Sequence, residues 1–199
     1  MKKSKNGFIF TILGLICISL ALLLSIYNIY EDYHAGQSSN EVIDELTQEI
    51  INNKENKETT DHPDKEMPTK YINNHYYIGV LEVPSINLSL PVMEDWSYQQ
   101  LKIVPCRYTG SVYKDNMVIA GHNYTNHFMK IARLSAGSEI RFVDVEGNVY
   151  YYKIVNIEKL KPTDVEYLTQ ESDDWDLTLF TCTLGGGKRI AIRCARVNK

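Results

Sequence analysis

The sequence predicts an all-β domain, a closed or nearly closed barrel of short strands with one or two short helices, set behind an N-terminal transmembrane helix. Three observations carry this. From residue 71 onward, short apolar or alternating segments follow one another, each ended by a turn signal. Before that point, residues 8–27 (FIFTILGLICISLALLLSIY) hold no charge and match the length a helix needs to cross a hydrocarbon core. Between the two, residues 52–70 are polar and charged, with two prolines, and cannot bury enough apolar surface to fold alone.

In chain order, Lys2, Lys3 and Lys5 precede the apolar run, and Glu31 and Asp32 follow it. This asymmetry places residues 1–7 in the cytoplasm, residues 8–30 in the membrane and the rest outside the cell. The run is long for a signal peptide, and His34-Ala35-Gly36 is a poor cleavage site. Tyr27, Tyr30 and Tyr33 suit the membrane–water interface. Residues 31–70 form a stalk: Val42, Ile43, Leu46, Ile50 and Ile51 predict a short amphipathic helix over 41–51. A flexible spacer containing His62 follows.

The domain itself spans 71–199. Strands are expected over 77–83, 86–92, 116–120, 139–145, 149–157, 176–182 and 188–197. Glu146-Gly147-Asn148 and Gly185 to Gly187 read as hairpin turns. Helical segments are expected over 126–134 and 163–171. The formal net charge is -4, with no basic stripe, which argues against nucleic acid as a partner. The four cysteines (Cys17, Cys106, Cys182, Cys194) form no CxxC pair and no zinc pattern. Cys17 lies in the apolar run; the other three hold either one disulfide and one thiol, or three thiols.

Cys182, in TLFTCT, ends an apolar strand just before a turn, where a thiol can be aimed out of the barrel end. A small buried hydrophobe would look the same. His122, in AGHNY, ends another strand, with Gly121 allowing a sharp turn. His75 precedes the first strand and His127 reads as a structural or surface residue in a helix. Arg189 lies on the strand returning from Cys182 and would come close to it. A guanidinium there suits the negative charge that builds on a carbonyl oxygen under thiol attack. Arg193 shares its face further along.

In order, YIGVLEVPSINLSLPV, AGHNY, FMKIARLSAGSEIRF and LTLFTCTLGGGKRIAIR resemble the sortases of Gram-positive bacteria over about residues 77 to 197. That resemblance implies a closed eight-stranded β-barrel. It also implies a cysteine transpeptidase that cleaves a C-terminal LPxTG-like sorting motif of secreted proteins. The product is a thioacyl enzyme, passed to a cell-wall or pilin amine. Carried over by residue, Cys182 is the nucleophile, His122 the acid/base and Arg189 the oxyanion or substrate-positioning group, with Arg193 as the alternative. The long helix of class B enzymes is not expected here; with neither a C-terminal membrane segment nor an N-terminal lid motif evident, an anchoring or housekeeping-type enzyme is expected over a pilin polymerase. No cofactor is expected. Asp115, Glu139, Asp144, Glu146, Asp164 and Glu166 read as scattered surface carboxylates more than as a calcium site. The other readings are an inactive sortase-like peptide-binding barrel and a plain cysteine hydrolase.

Overall fold

The computed structural model describes residues 5–55 and 66–197. Most of the expected spacer, His62 included, lies outside them, as do Lys2 and Lys3. The first element, α1 (Lys5–Glu55), is a single helix of 51 residues. At 1.5 Å per residue it is roughly 75 Å long. Its apolar stretch meets the length and composition for a membrane crossing, and none of that stretch is buried against the protein.

The sequence separates an anchor from an amphipathic helix over 41–51, and the structure joins them. No proline interrupts the chain before Pro63, so nothing there breaks the hydrogen-bond ladder. Beyond the apolar stretch α1 lies along the barrel. Ala35, Ser39, Val42, Leu46 and Ile50 are buried at helical spacing. Residues 31–55 are thus a docked helix rather than a free-standing stalk. Gly36 permits the close approach, since a Cβ there would lie 2.7 Å from Asn126 Nδ2.

The domain contains β1 (Lys70–Ile72), β2 (His75–Val83), β3 (Leu88–Met93), α2 (Tyr98–Leu101), β4 (Cys106–Thr109) and β5 (Met117–Ala120). After these come β6 (Glu139–Asp144), β7 (Val149–Leu160), α3 (Val165–Thr169), β8 (Leu177–Cys182) and β9 (Arg189–Arg196). The sheet runs β1-β2-β3-β4-β5-β8-β9-β7-β6, and β6 pairs back onto β2. Strands β2 to β9 therefore close an eight-stranded barrel, with β1 folded onto the start of β2. Closure leaves the ring without a free edge.

Alternation along the strands builds two cores. Leu81, Met117, Ile119, Phe142, Leu179 and Ile192 are among the side chains filling the barrel. The second core lies between the barrel and α1, where Val42, Leu46 and Ile50 meet Tyr77, Val80, Met93, Val104 and Cys106. The segment expected to be helical over 126–134 is a series of turns leading into a 3₁₀ turn at Ile131–Arg133. The 163–171 segment is helical only as α3. Strands β1 and β4 and helix α2 have no counterpart in the sequence reading.

Leu46 is fully buried in the second core. Leu46→Ala is expected to destabilise the domain by about 3 kcal/mol, the usual cost of removing a buried leucine side chain. Thermal or urea unfolding of the full chain checks this, and a loss below about 0.5 kcal/mol would mean that the helix is not seated there.

Candidate active site

The site is built on β8. On one side β8 runs parallel to β5, with Ala120 opposite Phe180, and Gly121 N donates to Phe180 O at 3.0 Å. His122 follows two residues after the last β5–β8 pair, as Cys182 follows two residues after Phe180 on β8. On the other side β8 is antiparallel to β9, and Cys182 directly faces Arg189. Cys182 thus leaves the barrel end between the histidine strand and the arginine strand. It is half-buried, as are His122 and Arg189. Among the described residues no hydrogen bond joins the thiol to either neighbour, a looseness common before substrate binds.

The turn that returns the chain from Cys182 is firmly held. Thr183 N donates to Lys188 O at 2.9 Å, Lys188 N to Thr183 Oγ1 at 3.1 Å, and Gly186 N to Thr183 O at 2.8 Å. Gly185 and Gly186 take φ values of 81° and 73°, a backbone conformation open to glycine. Arg189 Nη1 donates to Gly186 O at 3.2 Å and to Lys188 O at 3.4 Å. The guanidinium therefore rests on its own turn.

Arg193 is quite different. It is fully buried and lies opposite Thr178, remote from the thiol end of β8. Its Nε donates to Glu158 Oε1 at 2.8 Å, Nη1 to Leu168 O at 3.1 Å and Thr178 Oγ1 at 2.9 Å, and Nη2 to Tyr167 O at 2.6 Å. Its guanidinium also lies 4.6 Å from the Trp175 ring centroid. It is committed to fixing α3 and the segment before β8 onto the barrel wall.

His122 is held by its loop. Gly121 does not have a positive φ; its role is space, because a Cβ there would lie 2.4 Å from the ring of the buried Phe128. Phe128 N donates to His122 O at 3.2 Å. The imidazole stacks on Tyr124, with centroids 4.2 Å apart and planes within 1°. Burial pushes the His122 pKa below the ordinary value; nearby Glu31 raises it and Lys102 lowers it. His127 is not a surface residue. It is fully buried, and burial pushes it down to about 4. Among the described residues its two ring nitrogens have no hydrogen-bond partner.

The remaining cysteines are free thiols. Cys106 and Cys194 lie in the two different cores. Burial pushes both thiols up, Cys106 to about 12, so neither supplies a thiolate near neutral pH. Among the described residues no cluster of His, Cys, Asp or Glu could hold a metal ion. Of the carboxylates, Asp144 is not on the surface. It is buried in the β6–β7 turn, accepting from Glu146 N, Asn148 N, Asn148 Nδ2 and Tyr150 Oη. Asp115 pairs with Arg196 at 2.7 Å.

A family model described as Sortase domain matches residues 81–197, well over half of the chain. The chain belongs to the sortase family. Sortase A of Bacillus anthracis is 29% identical over 128 residues, covering 61% of this chain and 60% of that protein. Sortase D of Bacillus subtilis (strain 168) is 30% identical over 107 residues, covering 52% and 53%. The chain thus matches between about half and three fifths of the length of these curated sortases. Among solved sortases, sortase C of Clostridium perfringens with the C-terminal cell wall sorting motif matches with a TM-score of 0.55 and 24% identity. That match covers 80% of this chain and 91% of the other.

Arg193→Met leaves Glu158 and three oxygen acceptors without their donor, and is expected to cost roughly 3 kcal/mol. Arg189→Ala removes only bonds to an exposed turn and should change stability by less than about 0.5 kcal/mol. Parallel unfolding curves check the pair; equal losses would contradict the division of labour between the two arginines.

Proposed function

We propose that this sortase is a membrane-anchored cysteine transpeptidase, with Cys182 as nucleophile, His122 as proton carrier and Arg189 as oxyanion or substrate-positioning group. The observation that supports the proposal is the strand register: Cys182 directly faces Arg189 across β8 and β9, and β5, the strand that leads into His122, pairs with β8 up to Ala120 opposite Phe180. In the first half-reaction the Cys182 sulfur adds to a peptide carbonyl while the neutral imidazole takes the thiol proton. The negative charge formed on the oxygen lies within reach of a guanidinium swung off the turn. Collapse of the adduct breaks the C–N bond, His122 protonates the departing amine, and a thioester remains. In the second half-reaction an incoming amine adds to the thioester and gives its proton to His122. The Cys182 sulfur then leaves and is reprotonated.

The buried side chain of Arg193 favours Arg189 for the anionic step. The substrate class follows from the family: secreted proteins bearing an LPxTG-like sorting motif, with a cell-wall or pilin amine as acceptor. Membrane attachment is supported by the apolar face-free surface of α1, where Phe8, Ile9, Leu23 and Leu24 are each at least 60% exposed. The lysines before the apolar run and the acids after it support an orientation with the barrel outside the cell.

Cys182→Ala and His122→Ala should each lower cleavage of a sorting-motif peptide by at least about a thousandfold while leaving a folded barrel. Cleavage retained by Cys182→Ala would rule the assignment out. Mass analysis with an added amine should find the amide product; only the free acid would make the protein a hydrolase.

His122 must be neutral to accept the thiol proton, so activity is present above its pKa and lost below it. Because burial lowers that pKa, the acid limb of kcat/KM is expected below the ordinary histidine value of about 6.5. A limb at or above that value would count against this protonation scheme.

A further inference from the structure

Glu31 is the first acidic residue after the apolar run, and α1 brings it under the loop that carries His122. Its Oε1 accepts from Lys102 Nζ and from Tyr27 Oη, each at 2.7 Å. Its Oε2 accepts from Tyr124 Oη at 3.3 Å across 93 residues of sequence. Tyr124 in turn lies flat against the His122 imidazole.

We propose that Glu31 is a positioning residue for His122: from the anchor helix it holds the Tyr124 hydroxyl, and through the Tyr124 ring it orients the imidazole. The proposal rests on the reading of His122 as proton carrier. It makes one turn of the anchor helix part of the active-site assembly.

A lone exposed ion pair would not carry this, since such pairs contribute little. Glu31 is different in two respects. Its side chain is only 22% exposed, whereas that of Lys102 is 50% exposed, and it collects three donors from three separate parts of the chain. The loop is also gripped a second time by the same helix, where Gly36 meets the Asn126 side chain. The loop therefore meets α1 at two residues, Tyr124 and Asn126.

The ionisation states suit the link. Lys102, then Tyr27, holds the Glu31 carboxyl below its ordinary pKa, so it stays an acceptor. Burial, then Glu31, pushes Tyr124 up to about 12, so it stays a donor. The charged or titratable groups around His122 are Glu31 and Asp32 on α1, Lys102 after α2, Tyr124 and His127 in its own loop, and Cys182 and Arg189 at the barrel end. His127 is neutral near pH 7. Glu31 and Lys102 act on His122 in opposite directions. Removing Glu31 should therefore lower the His122 midpoint, and removing Lys102 should raise it.

The experiment uses the full chain in lipid nanodiscs with isotope-labelled histidine, the His122 signal being assigned by its loss in His122→Gln. Glu31→Gln is expected to lower the His122 titration midpoint by about 0.3 pH or more, and Lys102→Met to raise it by a similar amount. With a fluorogenic LPxTG-type peptide, Glu31→Gln should lower kcat roughly fivefold with little change in KM, and Glu31→Asp should recover part of the loss. Tyr124→Phe keeps the ring stack but breaks the link, and should reproduce the Glu31→Gln kcat. A midpoint unmoved by Glu31→Gln, or a kcat within about twofold of the parent, overturns the proposal. If the unmutated chain does not cleave the peptide, the transpeptidase reading with this motif fails by itself. The midpoints then decide the role of Glu31 alone.

Discussion

The site depends on the pairing of β8 with two neighbours of opposite sense. A parallel partner, β5, exits the barrel at the same end as β8, so both strands deliver their last side chain to one place. An antiparallel partner, β9, starts where β8 stops, so a short turn delivers a third. Cys182 and Arg189 face each other in the β8–β9 ladder across one short turn, while His122 comes from far earlier in the chain, two residues past the last β5–β8 pair. A one-residue slip in either ladder would turn a side chain to the barrel interior. The closed ring, which has no edge strand free to slide, protects the register.

The same strand pair separates two uses of arginine. Arg189 and Arg193 share a face of β9, but their surroundings differ. Arg193 is dry, and four of its donor contacts are satisfied by Glu158, Thr178 and the carbonyls of Tyr167 and Leu168. A buried cation held that way is committed to structure, because releasing any partner would strand a charge away from water. Arg189 touches only carbonyls of a glycine turn and can leave them for a better acceptor. The two-residue period of a strand puts both on one face; only the walls around that face tell them apart.

This is also where the sequence was and was not legible. Cys182 and Arg189 could be paired from the sequence because a glycine turn forces adjacency. The barrel could be read because alternating apolar strands are their own signal. Strand β4 escaped because CRYT is short and mostly polar, and takes its place from β5 rather than from its own pattern. The helical face over 41–51 was legible from Val42, Leu46 and Ile50, but its continuation to the anchor escaped because the contact there is made by Ala35, Gly36 and Ser39, small residues that read as loop. Their smallness serves close packing instead. For His127 the sequence left a structural and a surface reading open, because polarity is a poor guide to burial. The link from Glu31 to Tyr124 spans 93 residues, and no periodicity reports such a contact.

The unbroken course of α1 has a mechanical consequence. A jointed tether would let the barrel swing through a wide arc, and its cleft would meet substrate as a freely tumbling enzyme does. A continuous helix seated on the barrel instead acts as a short rigid mast. It sets how far the cleft stands from the end of the apolar stretch, with Glu31 one helical turn (about 5.4 Å) beyond Tyr27. In a bilayer the cleft would then skim the headgroups. Encounters would become a search in the plane of the membrane, where a substrate that is itself held by the lipid is present at a high effective concentration. A polypeptide released into the medium would pass overhead.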